Sequence, residues 1–299
     1  MAELSKSMKR MKLLFVLIIR TVRWFFIKLS SKNGEIIKEI KGSRMVLLTT
    51  KKGFDIKEDS IFKQLALDGR REFAATKIIE QIMKPGYVIL EIGANIGYYA
   101  LMESRLVGKT GKIFAIEPEI DNFRLLNRNI ELNGIKNIET FNFAISDSGG
   151  EVPFYLTENS NLHSMIKPKK GQYNTLMVKT KTVDDFLSNK GKIDYLRMDI
   201  EGYEYQALKG MHRTLSENKN LQLFIELHCN LLRAERSIEI LRKLKSYRFE
   251  IFVAISRDNY IRSVLGETKV EKLSINQLCE DERLLKSSNA FEIFFEKSK

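Results

Sequence analysis

Two carboxylates close a short apolar run in DYLRMDIEGYE, residues 194–204: Asp199 and Glu201, followed by Gly202 and then Glu204. Carboxylates at a strand end can take a proton from an acceptor or help to hold a divalent cation. They can also simply favour the start of a helix through its dipole, the reading that suits Glu204. A second run, LQLFIELHC at 221–229, ends on Glu226 and His228, and imidazole titrates near neutrality. His163 sits in ENSNLHSMIK, a polar loop between candidate hairpin strands 151–156 and 176–183, well placed for a lid over an acceptor. His212 follows a helix and reads as surface. Asp199, Glu201, His228 and His163 are therefore the candidates for acid–base or acceptor-orienting work. No second convincing metal ligand accompanies Asp199 in the sequence, and no metal site is expected. Cys229 and Cys279 give neither a disulfide framework nor zinc spacing, which fits a reducing compartment.

These residues need a scaffold, and the stretch KPGYVILEIGANIGYYALMES from Lys84 supplies its first piece. An apolar strand leads to Glu91, then to the loop Gly93-Ala94-Asn95-Ile96-Gly97, where a helix is expected from about Ile96 with Asn95 as its cap. Glycines let a backbone approach a ligand, and a helix start offers free N–H groups. The pattern is acidic-x-Gly-x-x-x-Gly, not the G-x-G-x-x-G of a dinucleotide site. About 20 residues on, KIFAIE ends in Glu117, a position where one carboxylate can chelate two vicinal ribose hydroxyls. A third apolar stretch, 138–146, ends in Ala144-Ile145-Ser146. Two acidic strand ends around a glycine loop suit a nucleoside ligand with a cationic end and no pyrophosphate; S-adenosyl-L-methionine fits.

With those residues in place, the chain resembles the FkbM-type, S-adenosylmethionine-dependent methyltransferases of the class I Rossmann-like fold. VILEIGANIGYYAL at 88–101, FAIEPE at 114–119 and FAISDSGGEVPFYL at 143–156 carry the likeness, with VKTKTVDDFL at 178–187 and KIDYLRMDIEGYEYQALKGM at 192–211. Glu91 stands where an aspartate is common, which keeps the charge and lengthens the reach. The resemblance implies a doubly wound α/β fold with a mostly parallel seven-stranded sheet and a β-hairpin insertion. It implies that Glu91, Gly93, Ala94, Asn95 and Gly97 surround the methionine part of the cofactor. Glu117 would bind the ribose with Pro118 beside it, and Ala144, Ile145 and Ser146 would lie near the adenine, although plain core packing explains Ala144 and Ile145 equally well. It also implies O-methylation of a sugar, glycan or lipid-linked saccharide, on a hydroxyl or a carboxylate. The chain has no Asn/Asp-Pro-Pro-aromatic tetrapeptide and no Pro-Cys pair, which speaks against amino and C5-pyrimidine methylation of nucleic acid.

The net charge of +12 over 299 residues would suggest nucleic acid if it were spread over the body. Residues 1–52 hold 13 Lys/Arg against 3 Asp/Glu, so the remaining chain is close to neutral. We therefore expect two regions: a basic amphipathic arm at 1–52 and a methyltransferase domain at 53–299, with nucleic acid not expected as a partner. In residues 8–29, Lys9, Lys12, Arg20 and Arg23 share one helical stripe, and the other faces carry Leu14, Phe15, Ile18, Ile19, Trp24, Phe25 and Phe26. Such a helix can lie in a membrane interface with its cations toward anionic headgroups, or pack on protein. A transmembrane span is disfavoured by an uninterrupted run of only Leu13 to Ile19, and a secretory signal by the lack of a small-residue cleavage site. A third setting for the chain is an RNA methyltransferase with the arm on phosphates, or a non-catalytic cofactor-binding membrane module. The favoured expectation is a cytoplasmic enzyme with peripheral contact at the membrane face.

Overall fold

Residues 2–30 have no proline and no glycine, and they form a single helix, α1 (Ala2–Ser30). The computed structural model describes residues 2–51, 54–55, 60–157, 163–168, 173–257, 268–287 and 290–298. They fall into two units, one taking in the chain up to Phe73 and the other beginning at Ala74. In the first, β1 (Glu35–Ile40) and β2 (Ser43–Leu48) form an antiparallel hairpin. Its two-residue turn has both Lys41 and Gly42 left-handed, the conformation that matches the twist of paired strands. Short strands β3 (Thr50–Lys51) and β4 (Phe54–Asp55) pair beside it. Helix α2 (Ile61–Asp68) starts at a Ser60 cap and stops at the left-handed Gly69.

Helix α1 lies on α2, and the structure turns two of its four stripe cations inward. Arg20 reaches both carboxylate oxygens of Asp68 at 2.6 and 2.7 Å, and Arg23 donates to the Leu67 carbonyl at 2.9 Å. Trp24, which the sequence groups with the apolar faces, is buried here. The stripe as a whole therefore does not face outward: Arg20 and Arg23 are committed to acceptors on α2.

The second unit opens within the first turn of α3 (Phe73–Ile82) and continues in a β-α-β-α-β run: β5 (Val88–Ile92), α4 (Tyr98–Val107), β6 (Lys112–Ile116), α5 (Ile120–Leu132) and β7 (Ile138–Phe141). The chain then builds a small sheet from β8 (Ala144–Ile145), β9 (Gly150–Leu156) and β10 (Asn174–Lys181), ordered β8-β10-β9 with β9 and β10 antiparallel. This is the hairpin insertion. After α6 (Val183–Phe186) come β11 (Tyr195–Met198), α7 (Glu204–Lys209), α8 (His212–Glu217) and β12 (Gln222–Leu227). The chain continues through α9 (Cys229–Ser246), β13 (Phe249–Ser256), β14 (Val270–Glu271), α10 (Ile275–Cys279), α11 (Glu282–Leu285) and β15 (Phe291–Lys297).

The main sheet runs β14-β13-β15-β12-β11-β5-β6-β7. The five strands from β7 to β12 are parallel, and β15 is antiparallel to both β12 and β13. The sequence predicts seven strands; the eighth is the two-residue β14 on the edge of β13. Strand β11 is buried along its whole length, as a strand covered on both faces must be. The chain order reverses between β5 and β11, and the carboxyl ends of those neighbours form the switch point where α/β folds bind ligands.

Candidate active site

The glycine loop follows β5. Gly93, Asn95 and Gly97 all have positive φ, 83°, 50° and 93°. A Cβ on Gly93 would sit 2.0 Å from the carbonyl oxygen of Asp199, so only glycine lets the ends of β5 and β11 come this close. The helix begins later than the sequence suggests: α4 starts at Tyr98, and Gly97, not Asn95, is its N-cap. The Asn95 side chain instead accepts from the N–H of Ile96 at 2.8 Å, which steadies its own left-handed turn. Ala94 is buried under the loop and Pro118 is half-buried beside it.

Glu117 is 4% exposed. One carboxylate oxygen accepts from the Asn95 N–H at 2.8 Å and the other from the Glu119 N–H at 2.9 Å. Burial pushes its pKa up to about 7, against the opposing pull of those two amides. Asn142, a residue the sequence does not single out, donates to the carbonyls of Glu117 and Pro118 at 2.9 and 3.0 Å and fixes this turn. Ala144 and Ile145 are buried in β8, with Ile145 in the main core. Ser146 is tied by its N–H to the Lys181 carbonyl at 3.0 Å and by its hydroxyl to Asp147 at 3.1 Å.

Arg197 joins the two sides of the switch point. It is buried within β11, with one N–H on Glu91 at 2.8 Å and another on Asp199 at 3.1 Å. Its guanidinium lies 3.8 Å from the ring centre of Tyr99 and 4.9 Å from that of Phe224. Burial raises the Glu91 pKa well above the usual carboxylate range, with Arg197 pulling the other way. Glu103 lies beneath, also raised by burial, to about 7, and neither of its carboxylate oxygens has a hydrogen-bond partner among the described residues. The sequence signal for Arg197 was a single cation inside the apolar run YLRM, which a central strand tolerates only when it is paired.

On the other side, Glu201 and Gly202 take left-handed conformations, with φ of 50° and 94°. The resulting turn brings Glu201 and Glu204 to His228, and Glu226 meets it from the end of β12. Its Nδ1 is 2.8 Å from Glu204, and its Nε2 is 3.3 Å from Glu201 and 3.4 Å from Glu226. Asp199 stands 4.0 Å from the same Nε2. Burial favours neutral imidazole, but Glu201, Glu204 and Glu226 together raise its pKa well above the ordinary value. Glu201 is itself pushed to about 8, by burial against the pull of His228. The imidazole thus sits among carboxyl groups that favour its charged form. Glu204, read from the sequence as a helix starter, is fully buried and accepts from the Gly202 N–H at 3.0 Å as well. The clue was present in the pairing of D-x-E-G-x-E with E-L-H, but not the facing of the two segments. Arg257 closes the far side on Glu226.

Asp199, Glu226 and His228 each offer one ligand atom, all within 4.8 Å of one another, a set that could hold an ion. Along the chain Asp199 has no evident second donor; the adjacency of β11 and β12 supplies two. His163 has a different setting. Its Nδ1 accepts from the Thr157 N–H at 3.1 Å and its ring lies edge-on to Phe154, so it braces the hairpin insertion. The neighbouring Ser164 makes the link to the site, donating to the Glu201 carbonyl at 2.7 Å. His212 is exposed, as the sequence suggests, and bonds Tyr247. Part of the expected lid, residues 158–162, lies outside the described residues.

A family model for the methyltransferase FkbM domain matches residues 91–251, more than half of the chain. The chain belongs to the FkbM methyltransferase family. It is an S-adenosylmethionine-dependent methyltransferase, and the matched span holds Glu91, Glu117, Arg197, Asp199, Glu201, Glu204 and His228. Among curated proteins, the hexuronic acid methyltransferase AglP of Haloferax volcanii is 24% identical over 249 residues, covering 79% of this chain and 95% of that protein. A protein-L-isoaspartate O-methyltransferase of Methanococcoides burtonii is 29% identical over 129 residues, 38% of this chain and 61% of that protein. Among solved structures, Trm5b from Pyrococcus abyssi has a TM-score of 0.46 at 12% identity, covering 90% of this chain and 58% of that one. The site fits the family's cofactor on its own terms. Glu117 presents a carboxylate at the end of β6, held by the Asn95 and Glu119 amides and by the Asn122 side chain, the group that paired ribose hydroxyls require, and the Gly93 cradle admits no side chain.

Proposed function

We propose that this FkbM methyltransferase O-methylates a saccharide, on a hydroxyl or carboxylate, with Asp199 as the group that meets the acceptor. The observation that carries the reading is the placement of the Asp199 carboxylate. It is 14% exposed, held by Arg197, and set at the carboxyl end of the strand that abuts the Gly93 loop. S-adenosylmethionine supplies a methyl group already activated on a sulfonium. The protein's own task is alignment and, where the acceptor is a hydroxyl, proton removal. Asp199 accepts the hydrogen bond of the acceptor hydroxyl, orients its oxygen, and takes its proton. His228 and Glu201 share protons behind it and keep the local charge balanced. Glu204 fixes the imidazole. Glu117 holds the ribose, and the Glu91–Arg197 pair sets the floor of the methionine end. The sugar acceptor is supported by the likeness to a hexuronic acid methyltransferase. A lipid-carried saccharide would present that acceptor at a membrane surface, a setting that the basic helix α1 suits.

The test is labelled S-adenosylmethionine with glycan, lipid, RNA and protein fractions, using wild type and Asp199→Asn. Label in a glycan or glycolipid fraction is expected. The variant should bind cofactor within about twofold of wild type but turn over roughly 10²–10⁴-fold more slowly. Label in RNA or protein alone would refute the saccharide reading, and full activity in Asp199→Asn would refute the assignment of the base.

A further inference from the structure

We propose that the outward face of α1 docks on an anionic phospholipid membrane, with the helix lying in the plane of the interface. Leu14, Phe15, Ile18, Phe25, Phe26 and Leu29 are each 54–67% exposed. At about 100° per residue they fall, with Met11, Ile19 and Val22, in one arc of roughly 140°. No charged residue among positions 11–30 falls inside that arc. Lys12 stands just beyond one margin and Lys28 beyond the other. The opposite side of the helix is taken by Arg20 and Trp24, seated on α2. The orientation is thus the reverse of the simple sequence picture. Arg20 and Arg23 fasten the helix to its unit, and the greasy face looks away.

Charge decides the occupant. The helix carries seven Lys/Arg and one acid, Glu3. A second copy laid face to face would bring like-charged margins together, whereas anionic headgroups complement them while acyl chains take the apolar arc. A helix of 29 residues covers roughly 43 Å of surface at 1.5 Å per residue. Among the described residues no helix is long and apolar enough to cross a membrane, so lying on the surface is the geometry that remains for this helix on lipid. The inference is independent of which acceptor is methylated.

The experiment sediments the full-length protein with phosphatidylcholine vesicles, with and without phosphatidylglycerol. Binding to the anionic vesicles is expected, weakening about tenfold or more in their neutral counterparts and in high salt. The double variant Phe15→Asp/Phe26→Asp should keep the wild-type melting temperature, because both positions are exposed, yet lose vesicle binding by about tenfold or more. Lys12→Glu should weaken binding to anionic vesicles only. Absence of vesicle binding, or binding that the double variant retains, would overturn the proposal. Self-association abolished by the double variant, without vesicle binding, would overturn it in favour of a second copy.

Discussion

At the residue scale, Glu117 gives the sharpest pH signature. Burial lifts its pKa from the usual 4.5 to about 7. Between those values the folded chain holds a proton that the unfolded chain has released. Its contribution to stability is therefore greatest at low pH, falls as pH rises through this window, and is constant above about 7. Cofactor binding runs in the opposite sense, because ribose hydroxyls donate to the ionised carboxylate. We expect the cofactor Kd to tighten by up to about tenfold per unit as pH rises toward 7 and then level off. Titration calorimetry should show this slope in wild type and a flat, weaker profile in Glu117→Gln. Arg197 offers a second test. Arg197→Met leaves Glu91 and Asp199 facing each other without their shared cation, and should cost roughly 3–5 kcal/mol in a denaturant melt. Arg197→Lys keeps the charge but cannot fork to both carboxylates or stack flat on Tyr99. It should recover most of the stability while kcat stays about tenfold or more below wild type.

At the scale of elements, two glycines do unequal work. Gly93 lies where β5 and β11 end side by side, and a side chain there would meet the backbone oxygen of Asp199 at 2.0 Å. Backbone between two central strands cannot yield cheaply. Gly202 has a comparable φ, but its added Cβ would meet the Ile166 Cδ1 at 2.7 Å, which can rotate away, and the Leu231 Cβ at 2.7 Å, which can move only with the first turn of α9 and not with a central strand. Gly93→Ala should therefore cost several kcal/mol and abolish cofactor binding, while Gly202→Ala should cost about 1–3 kcal/mol and spare it. Thermal melts with and without cofactor distinguish the two. Equal loss in both would show that the β5–β11 approach is not the controlling contact.

At the scale of the whole molecule, the order of the main sheet places β15 between β12 and β13. Phe291, Phe294 and Phe295 are buried on it. A chain truncated before Phe291 loses both ladders at once and leaves the edge of β12 open beside the Glu226–His228 cluster. We expect such a protein to lack a cooperative thermal transition and to aggregate, as measured by calorimetry and light scattering. A well-folded truncated protein would mean that the sheet needs only its parallel half.

The sequence by itself determined the glycine loop, the acidic ends of β5 and β6, the β-α-β rhythm and the block from Asp199 to Gly202. All of these are local patterns: apolar runs of strand length, turn residues and carboxylates at fixed spacing. It also separated the basic arm from a near-neutral body, since charge can be counted along the chain. Tertiary structure decided what depends on facing. Glu204 reads as a helix starter until β12 sets His228 against it, and Arg197 reads as an oddity until β5 and β11 lie side by side. The direction of α1 was likewise open, because a helical wheel ranks faces but does not say which one a distant Asp68 will claim. Pairings between segments tens of residues apart follow from strand order and burial, and those are properties of the folded chain.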